Sequence, residues 1–336
     1  MKTAVLVALV CALVVVAVSA DALSDRLKFH AFKATFGKQY GSIAEEQQRF
    51  KIFQQNLQTA AALDAQDEHA TYGVTQFMDL SPEEFRGMYL NKNPTFDNVE
   101  RHAKPVEPIV SSSTPPSTFD WRSHSPSVVT PVYNQEQCGS CWAFSATETI
   151  ESAWALAGNT LTKFSMQQIV SCDRTSYGCN GGEPYSASEY IISAGGIESY
   201  DSYPYRSGDG VTGSCQFNKA DIVAKISNWA WVSRSDAATP KGDESAMMSG
   251  SYTYGPLSIC VDASTWQYYT GGIITSGCGT SLDHCVQLVG WNTANGVDYW
   301  TVRNSWGVTW GNAGYVYVER NKDMCGIANE VTRVII

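Results

Sequence analysis

The chain has 336 residues, of which 43% are hydrophobic and 17% are charged. These values are typical of globular proteins, and the length allows one large or two ordinary domains together with processing segments. The formal net charge of −10 excludes a nucleic acid as the expected partner, because phosphates would be repelled.

Residues 1–20 combine one cation, Lys2, with an apolar run that ends in small residues. We interpret this segment as a secretory signal peptide that is cleaved after Ala20. The alternative is a membrane anchor, but the run from Thr3 to Val18 is short for a membrane span. We therefore expect a protein without a membrane segment that travels the secretory pathway to a lysosome or endosome, or to the outside of the cell.

The number of cysteines indicates an unpaired thiol. The sequence holds 10 cysteines, and Cys11 is lost with the signal peptide, which leaves an odd number. At least one thiol therefore stays unpaired. In an oxidising compartment such a thiol needs a reason, and nucleophilic catalysis is one.

Residues 21–91 are predicted to be mainly helical. Phe29, Phe32 and Phe36 recur at helical spacing. Further along, Ser81 is a predicted helix cap, with Pro82 at the first helical position and Glu in the capping-box position.

Residues 94–116 are rich in Pro and Ser and are predicted to form an exposed linker, cleaved between about 111 and 117. After the linker, residues 140–158 are predicted to form the first long helix. Beyond residue 226 the pattern predicts strands at 257–261, 286–291, 299–303 and 314–318. A helical half followed by a sheet-rich half predicts two subdomains with a cleft between them.

Cys141 is the candidate nucleophile. It ends a C-G-S-C motif at the start of the predicted helix, where the helix dipole favours a thiolate. A thiolate also needs a base. Outside the removable segment only His124 and His284 remain, and we favour His284, which directly precedes a strand, over His124 in an apparent loop. Asn304, followed closely by Trp306, is the candidate for orienting the imidazole.

Residues 116–336 resemble the papain family (C1) of cysteine proteases. The resemblance rests on six ordered blocks, at 119–121, 135–145, 178–182, 283–284, 304–307 and 310–315. It implies an α+β papain-like fold in which a helical subdomain and a β-barrel-like subdomain face each other across a cleft. It also implies the site roles: Cys141 as nucleophile, His284 as acid and base, Asn304 as the orienting group, and Gln135 with the Cys141 backbone N–H as the oxyanion hole.

The upstream segment is similar to the inhibitory prosegment of cathepsin-L-like members. The matching positions are Glu45, Arg49, Phe53 and Asn56 on a helix, followed by Gly73, Phe77 and Asp79; Ala60, Asp64 and Thr75 depart from the usual residues. We therefore expect three segments: signal peptide 1–20, inhibitory propeptide 21–115 and mature peptidase 116–336. The propeptide is expected to lie in the cleft and to be released on acidification, when carboxylate contacts become protonated.

The resemblance implies three disulfides: Cys138–Cys179, Cys172–Cys215 and Cys278–Cys325. This leaves Cys141, Cys260 and Cys285. By alignment with the family, Cys260 and Cys285 fall at small apolar positions of the S2 pocket. Our hypothesis is that these two form a fourth, pocket-lining disulfide; the alternative is two separate buried thiols.

The resemblance also implies a set of substrate-binding residues: Gly181, Gly182, Glu183, Pro184, Cys260, Asp283, Cys285, Trp306 and Glu330. Gly182 would pair with the substrate backbone, where the missing side chain permits close approach. Glu330 would form the bottom of the S2 pocket and Glu183 its wall, so that the pocket would accept Arg as well as apolar residues. The alternative is that both glutamates point to solvent, as most do.

We therefore expect a cysteine endopeptidase that is made as a zymogen, works as a monomer and needs no cofactor or metal. Its expected partners are protein and peptide substrates, its own propeptide and cystatin-like inhibitors. One alternative is an inactive homologue with a binding or storage role, although all four catalytic positions are intact. Another is an exopeptidase, but no His-His insertion follows Gly182. The spacing of Cys138 and Cys141 could suggest a zinc site, but no second pair of residues at ligand spacing follows it in the sequence.

Overall fold

The structure is a computed structural model that describes residues 23–92, 104–106, 108–109, 113–236 and 240–336. The predicted signal peptide at 1–20 lies outside these residues, as do residues 111 and 112 of the predicted cleavage region. None of the helices described is long and apolar enough to cross a lipid bilayer.

The predicted helical prosegment forms α1 (residues 23–36), α2 (Ile43–Gln66) and α3 (Pro82–Tyr89). Aromatic side chains join the first two helices: the ring centroid of Phe53 lies 5.3 Å from that of Phe29 and 5.2 Å from that of Phe32. The capping box predicted at Ser81 is present.

A short strand, β1 (Ala70–Tyr72), follows α2 and was not predicted. Its three residues are too few to show an alternating pattern, so no local signal identifies it. The strand pairs in antiparallel register with a strand of the catalytic half, which joins the prosegment to the main sheet.

The helical half of the catalytic region contains α4 (Cys141–Leu156), α5 (Met166–Cys172) and α6 (Pro184–Ala194), with a two-stranded sheet of β3 (Ile197–Glu198) and β4 (Ile222–Ala224). The predicted helix at 140–158 is thus confirmed as α4. Its residues 141–152 are all buried. The reason is that α4 lies between the helical half and the sheet: the Ser145 hydroxyl donates to the Val286 carbonyl at 2.7 Å.

The second half is built around one large sheet. Its strands are β2 (Phe119–Asp120), β5 (Asn228–Arg234), β6 (Leu257–Val261), β7 (Tyr269–Ile274), β8 (His284–Ala294), β9 (Val297–Arg303), β10 (Tyr315–Glu319) and β11 (Glu330–Ile335), and α7 (Glu244–Tyr254) lies between β5 and β6. With β1 the order is β1-β7-β10-β9-β8-β6-β11-β5, and β2 pairs with β8. The four predicted strands correspond to β6, β8, β9 and β10. The two-half α+β fold was therefore predicted correctly.

A buried polar cluster joins the two halves of the catalytic region. The Arg303 guanidinium on β9 lies 3.5 Å from a carboxylate oxygen of Glu148 on α4, and both side chains are almost fully buried. Burial raises the pKa of Glu148 to about 8, although the charge of Arg303 lowers it. The cluster fixes α4 against the sheet because separating its members would leave a charge buried without a partner.

Four disulfides are present: Cys138–Cys179, Cys172–Cys215, Cys260–Cys285 and Cys278–Cys325. The fourth, hypothesised bridge joins residues that face each other directly on β6 and β8, with Cα atoms 4.0 Å apart. Directly opposed residues of an antiparallel pair are close enough for such a link. Cys141 is the free cysteine of the described residues.

This arrangement predicts one titratable thiol in the denatured, unreduced zymogen that lacks residues 1–20. Titration with a chromogenic disulfide reagent should give one thiol per chain, and Cys141→Ser should give none. Three thiols per wild-type chain would show that Cys260 and Cys285 are not bridged.

Candidate active site

Cys141 is the first residue of α4 and is fully buried. The backbone N–H groups of Cys285 and Trp142 act on its sulfur and lower the pKa of the thiol, against the larger effect of burial, which raises it. Trp142 contributes one of the free amides of the helix start, which favours negative charge there. Cys285 is the second residue of β8, directly after His284, so the sulfur faces the beginning of this strand.

His284 is the first residue of β8, and Asn304 immediately follows β9. His284 Nε2 lies 2.7 Å from Asn304 Oδ1. The imidazole stacks on the Trp306 ring at a centroid distance of 4.7 Å and meets the edge of Trp266 at 6.1 Å. These rings keep water from the His–Asn contact, and His284 Nδ1 has no other hydrogen-bond partner among the described residues. The imidazole is thus held by one nitrogen and available through the other.

Gln135 is oriented from both ends of its amide. Its Oε1 accepts a hydrogen bond from the Ser305 hydroxyl at 2.6 Å. This fixes the Nε2 group, which donates to the carbonyls of Cys138 and Tyr89, each at 2.9 Å. Ser305 was not identified from the sequence as an orienting residue, although it lies within the N-S-W-G block.

The end of the prosegment occupies the cleft. The Tyr89 carbonyl is bound by Gln135, and the Asn91 backbone N–H donates to the Asp283 carbonyl at 2.7 Å. The Asn91 side-chain amide donates to the Gly182 carbonyl at 2.9 Å. The segment from Tyr89 to Asn91 therefore uses the polar groups that were predicted to bind a substrate.

Aromatic side chains anchor the prosegment on Trp306. The rings of Phe77, Phe85 and Tyr89 meet the Trp306 ring edge-on, with centroids 5.3, 5.4 and 6.5 Å away. Such edge-on pairs stabilise beyond the area they bury. Gln76 Nε2 also donates to the Trp306 carbonyl at 2.9 Å. The tryptophan that shields His284 is thus also a contact surface of the prosegment.

A second anchor lies at Asp67, at the end of α2. Its carboxylate accepts hydrogen bonds from the backbone N–H of Thr275 at 2.7 Å and of Ser276 at 3.0 Å, and from the Thr275 hydroxyl at 2.7 Å. Burial raises the pKa of Asp67, but hydrogen bonds from Thr275, His69 and Ala70 outweigh it and hold this pKa below its usual value. The anchor therefore depends on an ionised carboxylate.

Burial disfavours the charged forms of Cys141 and His284 in the zymogen. Burial is the main reason why the pKa of Cys141 is raised to about 12. The charges of Glu183 and Asp283 also raise this pKa, whereas the backbone N–H groups of Cys285 and Trp142 lower it. Burial lowers the pKa of His284 to about 4, against the contact with Asn304. At a pH between these two pKa values, the thiol and the imidazole are both neutral. Removing the prosegment returns water to the site, which lowers the pKa of Cys141 and raises the pKa of His284.

The predicted pocket residues lie together beside the catalytic cysteine. Glu183 precedes Pro184 at the start of α6, and Glu330 is the first residue of β11. Both side chains are buried, with 2% and 3% of their surface exposed, so neither glutamate points to solvent. Glu330 Oε1 lies 3.5 Å from Cys260 Sγ. A carboxylate oxygen of Glu183 lies within 4.8 Å of the sulfurs of Cys260 and Cys285. Because both sulfurs belong to a disulfide, this group offers no thiolate to a metal.

Comparisons with known proteins agree with this geometry. Residues 115–335 match the papain family cysteine protease domain. The chain belongs to the papain family. Residues 29–85 match the cathepsin propeptide inhibitor domain, so the enzyme is made as a zymogen. The family hydrolyses peptide bonds, and the chain is a cysteine endopeptidase in zymogen form.

Similar proteins cover nearly the whole chain. Cysteine proteinase 1 of Dictyostelium discoideum is 38% identical over 335 residues, covering 94% of both chains. A cysteine proteinase of Trypanosoma brucei brucei is 38% identical over 93% of this chain and 68% of its own length. Digestive procathepsin L2 from Tenebrio molitor larval midgut has a similar structure, with a TM-score of 0.81, 32% identity and coverage of 93% of this chain and 100% of that one.

The neutral, covered thiol predicts slow alkylation of the zymogen. At pH 7 a thiol with a pKa of about 12 is a thiolate in a fraction on the order of 10⁻⁵ of the molecules. Iodoacetamide should therefore modify Cys141 at least about 100-fold more slowly in the zymogen than in the processed enzyme. Peptide mass mapping measures both rates. Equal rates would contradict the inhibited state described here.

Proposed function

We propose that the mature enzyme cleaves internal peptide bonds through Cys141, His284, Asn304 and Gln135. The observation that carries this proposal is the Tyr89 carbonyl: a peptide carbonyl of the chain itself accepts a hydrogen bond from Gln135 beside the free thiol. A substrate carbonyl bound at that position would have the nucleophile next to it and the oxyanion donor in place.

In the proposed mechanism the Cys141 thiolate attacks the scissile carbonyl carbon. The oxyanion that forms is stabilised by Gln135 Nε2 and the Cys141 backbone N–H. The His284 imidazolium protonates the leaving amine, and an acyl-enzyme remains. The neutral imidazole then takes a proton from water, whose oxygen attacks the thioester and releases the acid and the thiol. Asn304 holds the ring by accepting from Nε2–H throughout.

We propose that processing removes residues 1–20 as a signal peptide and 21–115 as the propeptide, leaving 116–336. Residues 113 and 114 and residues 116 and 117 are exposed, which gives a protease access. The Trp291 indole donates to the Pro116 carbonyl at 2.9 Å, so a cut just before this residue keeps the start of the mature chain attached.

The four disulfides favour an oxidising compartment, and we propose that the enzyme acts in a lysosome or endosome or outside the cell. The open polar groups of the mature cleft suit protein and peptide substrates and cystatin-like inhibitors. The proposed working form is a monomer without a cofactor.

The oxyanion role of Gln135 predicts a loss that appears mainly in kcat. Gln135→Ala should lower kcat by about 10²–10³-fold with little change in KM, because the donor acts chiefly on the charged intermediate. Ser305→Ala should cause a smaller loss, because it frees the amide without removing it. Steady-state kinetics on a fluorogenic peptide measure both variants, with Cys141→Ser as the inactive reference. Unchanged kcat in Gln135→Ala would refute the assignment.

Acid release is proposed to depend on Asp67 and not on Asp283. The pKa of Asp67 is depressed in the zymogen, so its contribution to prosegment binding is present above its ordinary pKa and lost as pH falls. For Asp283 the effect of pH runs in the opposite direction. Burial raises the pKa of Asp283 to about 7, so acid favours the protonated form that the prosegment covers. Asp67 is therefore a contact that acid weakens as the pH falls below the ordinary carboxyl pKa of 3.8.

Asp67→Asn should let the zymogen process at a higher pH than the wild type, because the anchor loses its charge at every pH. Processing rates followed by gel from about pH 3 to pH 8 test this, with Asp64→Asn on the same helix as a matched control. The general acid-release hypothesis is wrong if the wild type processes equally fast at pH 4.5 and pH 7.5. The proposed role of Asp67 is wrong if the processing rate of Asp67→Asn depends on pH in the same way as that of the wild type.

A further inference from the structure

The outer edge of β5 carries a segment of the linker. β5 is the last strand of the large sheet and pairs with β11 on one side. On its other side Val106 forms a parallel bridge with Trp231. Two residues earlier in the linker, the Lys104 ammonium donates to Asn228 Oδ1 at 2.7 Å and to the Trp229 carbonyl at 3.3 Å. The linker therefore lies along β5 in the way that a bound peptide extends a sheet.

The side chain of Trp229 forms the floor of this site. The Lys104 ammonium lies 4.4 Å from the centre of the Trp229 ring, which is within the range of a cation–π interaction. At the edge of the same ring, the indole N–H donates to the Glu189 carboxylate at 3.3 Å. The ring face, the two oxygen acceptors and the nearby carboxylate all favour a positive charge at this position.

The next positions of the edge favour uncharged side chains. The Arg234 guanidinium of β5 already lies 5.9 Å from the centre of the Trp231 ring, so a second cation beside this ring would be repelled. Val106 occupies that place in the linker. Further along, Ile109 packs against the core at α7, with its Cδ1 3.5 Å from where a side-chain carbon at Gly250 would lie. The edge thus selects a lysine that is followed by apolar residues.

The site is connected to the catalytic cleft through α6. The ring of Tyr185, in the first turn of α6, has its centroid 5.6 Å from the rings of both Trp229 and Trp231. The same helix begins close to Gly182, whose carbonyl binds Asn91 of the prosegment. One polypeptide, the prosegment with its linker, thus occupies the cleft and the β5 edge at once. The two places are no farther apart than the intervening residues can reach, about 45 Å when fully extended.

We propose that the edge of β5 is a second peptide-binding site of the mature enzyme. It holds an extended segment of a protein substrate in which a lysine precedes an apolar residue by two positions. Processing as proposed above removes residues 104–109 with the propeptide and leaves the edge uncovered. The occupant is a protein substrate because a chain that enters the cleft can also reach the edge, as the prosegment does. This inference rests on the proposed peptidase function and adds a surface that favours long substrates over short ones.

Binding to the edge is measured separately from hydrolysis. The probe is a fluorescently labelled peptide of residues 101–112, and the protein is acid-activated enzyme whose Cys141 has been blocked with a thiol-reactive epoxide. A probe with Lys104→Ala should bind roughly 3- to 30-fold more weakly, the range expected for a cation on an indole face. A probe with Lys104→Arg keeps the cation and should bind within about 3-fold of the unchanged probe. Fluorescence anisotropy measures all three affinities.

Variants of the enzyme locate the bound probe. Asn228→Ala removes an exposed acceptor of the lysine and should weaken the unchanged probe by roughly 3- to 10-fold. Asn292→Ala replaces an exposed asparagine on β8 and is the matched control, with unchanged probe binding. Both variants should hydrolyse a short Phe-Arg peptide at the wild-type rate, which shows that the fold and the cleft are intact.

Two long substrates test whether the edge serves hydrolysis. Both carry one cleavable Phe-Arg sequence, with a flexible spacer and a Lys-Pro-Val-Glu-Pro-Ile tract on each side, so that the direction of binding does not matter. The second substrate has Ala in place of each Lys. The first should have a kcat/KM at least about 3-fold higher, mainly through KM, because the second contact raises the local concentration of the cleavable sequence. Asn228→Ala should reduce this difference, and mass spectrometry verifies cleavage at the common sequence.

The proposal is overturned if Lys104→Ala in the probe and Asn228→Ala in the enzyme both leave probe binding unchanged. It is also overturned if the probe binds but the two long substrates do not differ, because the edge would then serve only the enzyme's own linker. A mature enzyme that dimerises unless the probe is present would show that a second copy occupies the edge in place of a substrate. Absence of hydrolysis of the short Phe-Arg peptide by the wild type would instead refute the proposed function, while probe binding would still report on the edge.

Discussion

The active site depends on how α4 is held against β8. Cys141 and His284 are each the first residue of one of these two elements, so the distance between thiol and imidazole follows from how the helix lies on the sheet. Three contacts hold the helix there: the Ser145 hydroxyl with Val286, Gln287 Nε2 with the Glu148 carbonyl at 2.8 Å, and the buried ion pair of Glu148 with Arg303. All lie within the core, where no water competes for the hydrogen bonds.

In this arrangement the prosegment contacts the same groups that are proposed to act in catalysis. The prosegment presents a carbonyl to Gln135 and an N–H to Asp283, as a peptide substrate would, and its aromatic rings cover Trp306. It also removes water from the thiol and the imidazole, which disfavours the charged forms that the reaction needs. A single segment therefore blocks access and suppresses reactivity at once.

The site residues proposed from the sequence are those that local motifs carry. Cys141, His284 and Asn304 each lie in a short block with its own chemistry, and the capping box at Ser81 is a local pattern. Contacts between distant segments were beyond local signals. The approach of Glu330 to Cys260 and the bond from Ser305 to Gln135 exist because the fold brings separate segments together.

Only some of the strands were predicted, again because local signals do not show contacts between distant segments. The strands β6, β8, β9 and β10 are rich in β-branched and aromatic residues, whereas β7 contains two glycines and β2 has only two residues. Such segments become strands because a neighbour pairs with them, and pairing is a tertiary effect that overrides weak propensity. The helix α4 was placed correctly, but its burial on all sides follows from the packing of both halves around it.

The pairing of β1 with β7 has a consequence for the mature molecule. In the zymogen β7 is an interior strand between β1 and β10. The close approach of the two strands requires glycine, because a side-chain carbon at Gly272 would lie 2.2 Å from the His69 carbonyl oxygen. When the prosegment leaves, β7 becomes the border of the sheet, with backbone amides and carbonyls that have lost their partners. Maturation thus creates a surface that can be extended by any strand able to lie flat against a glycine-rich edge.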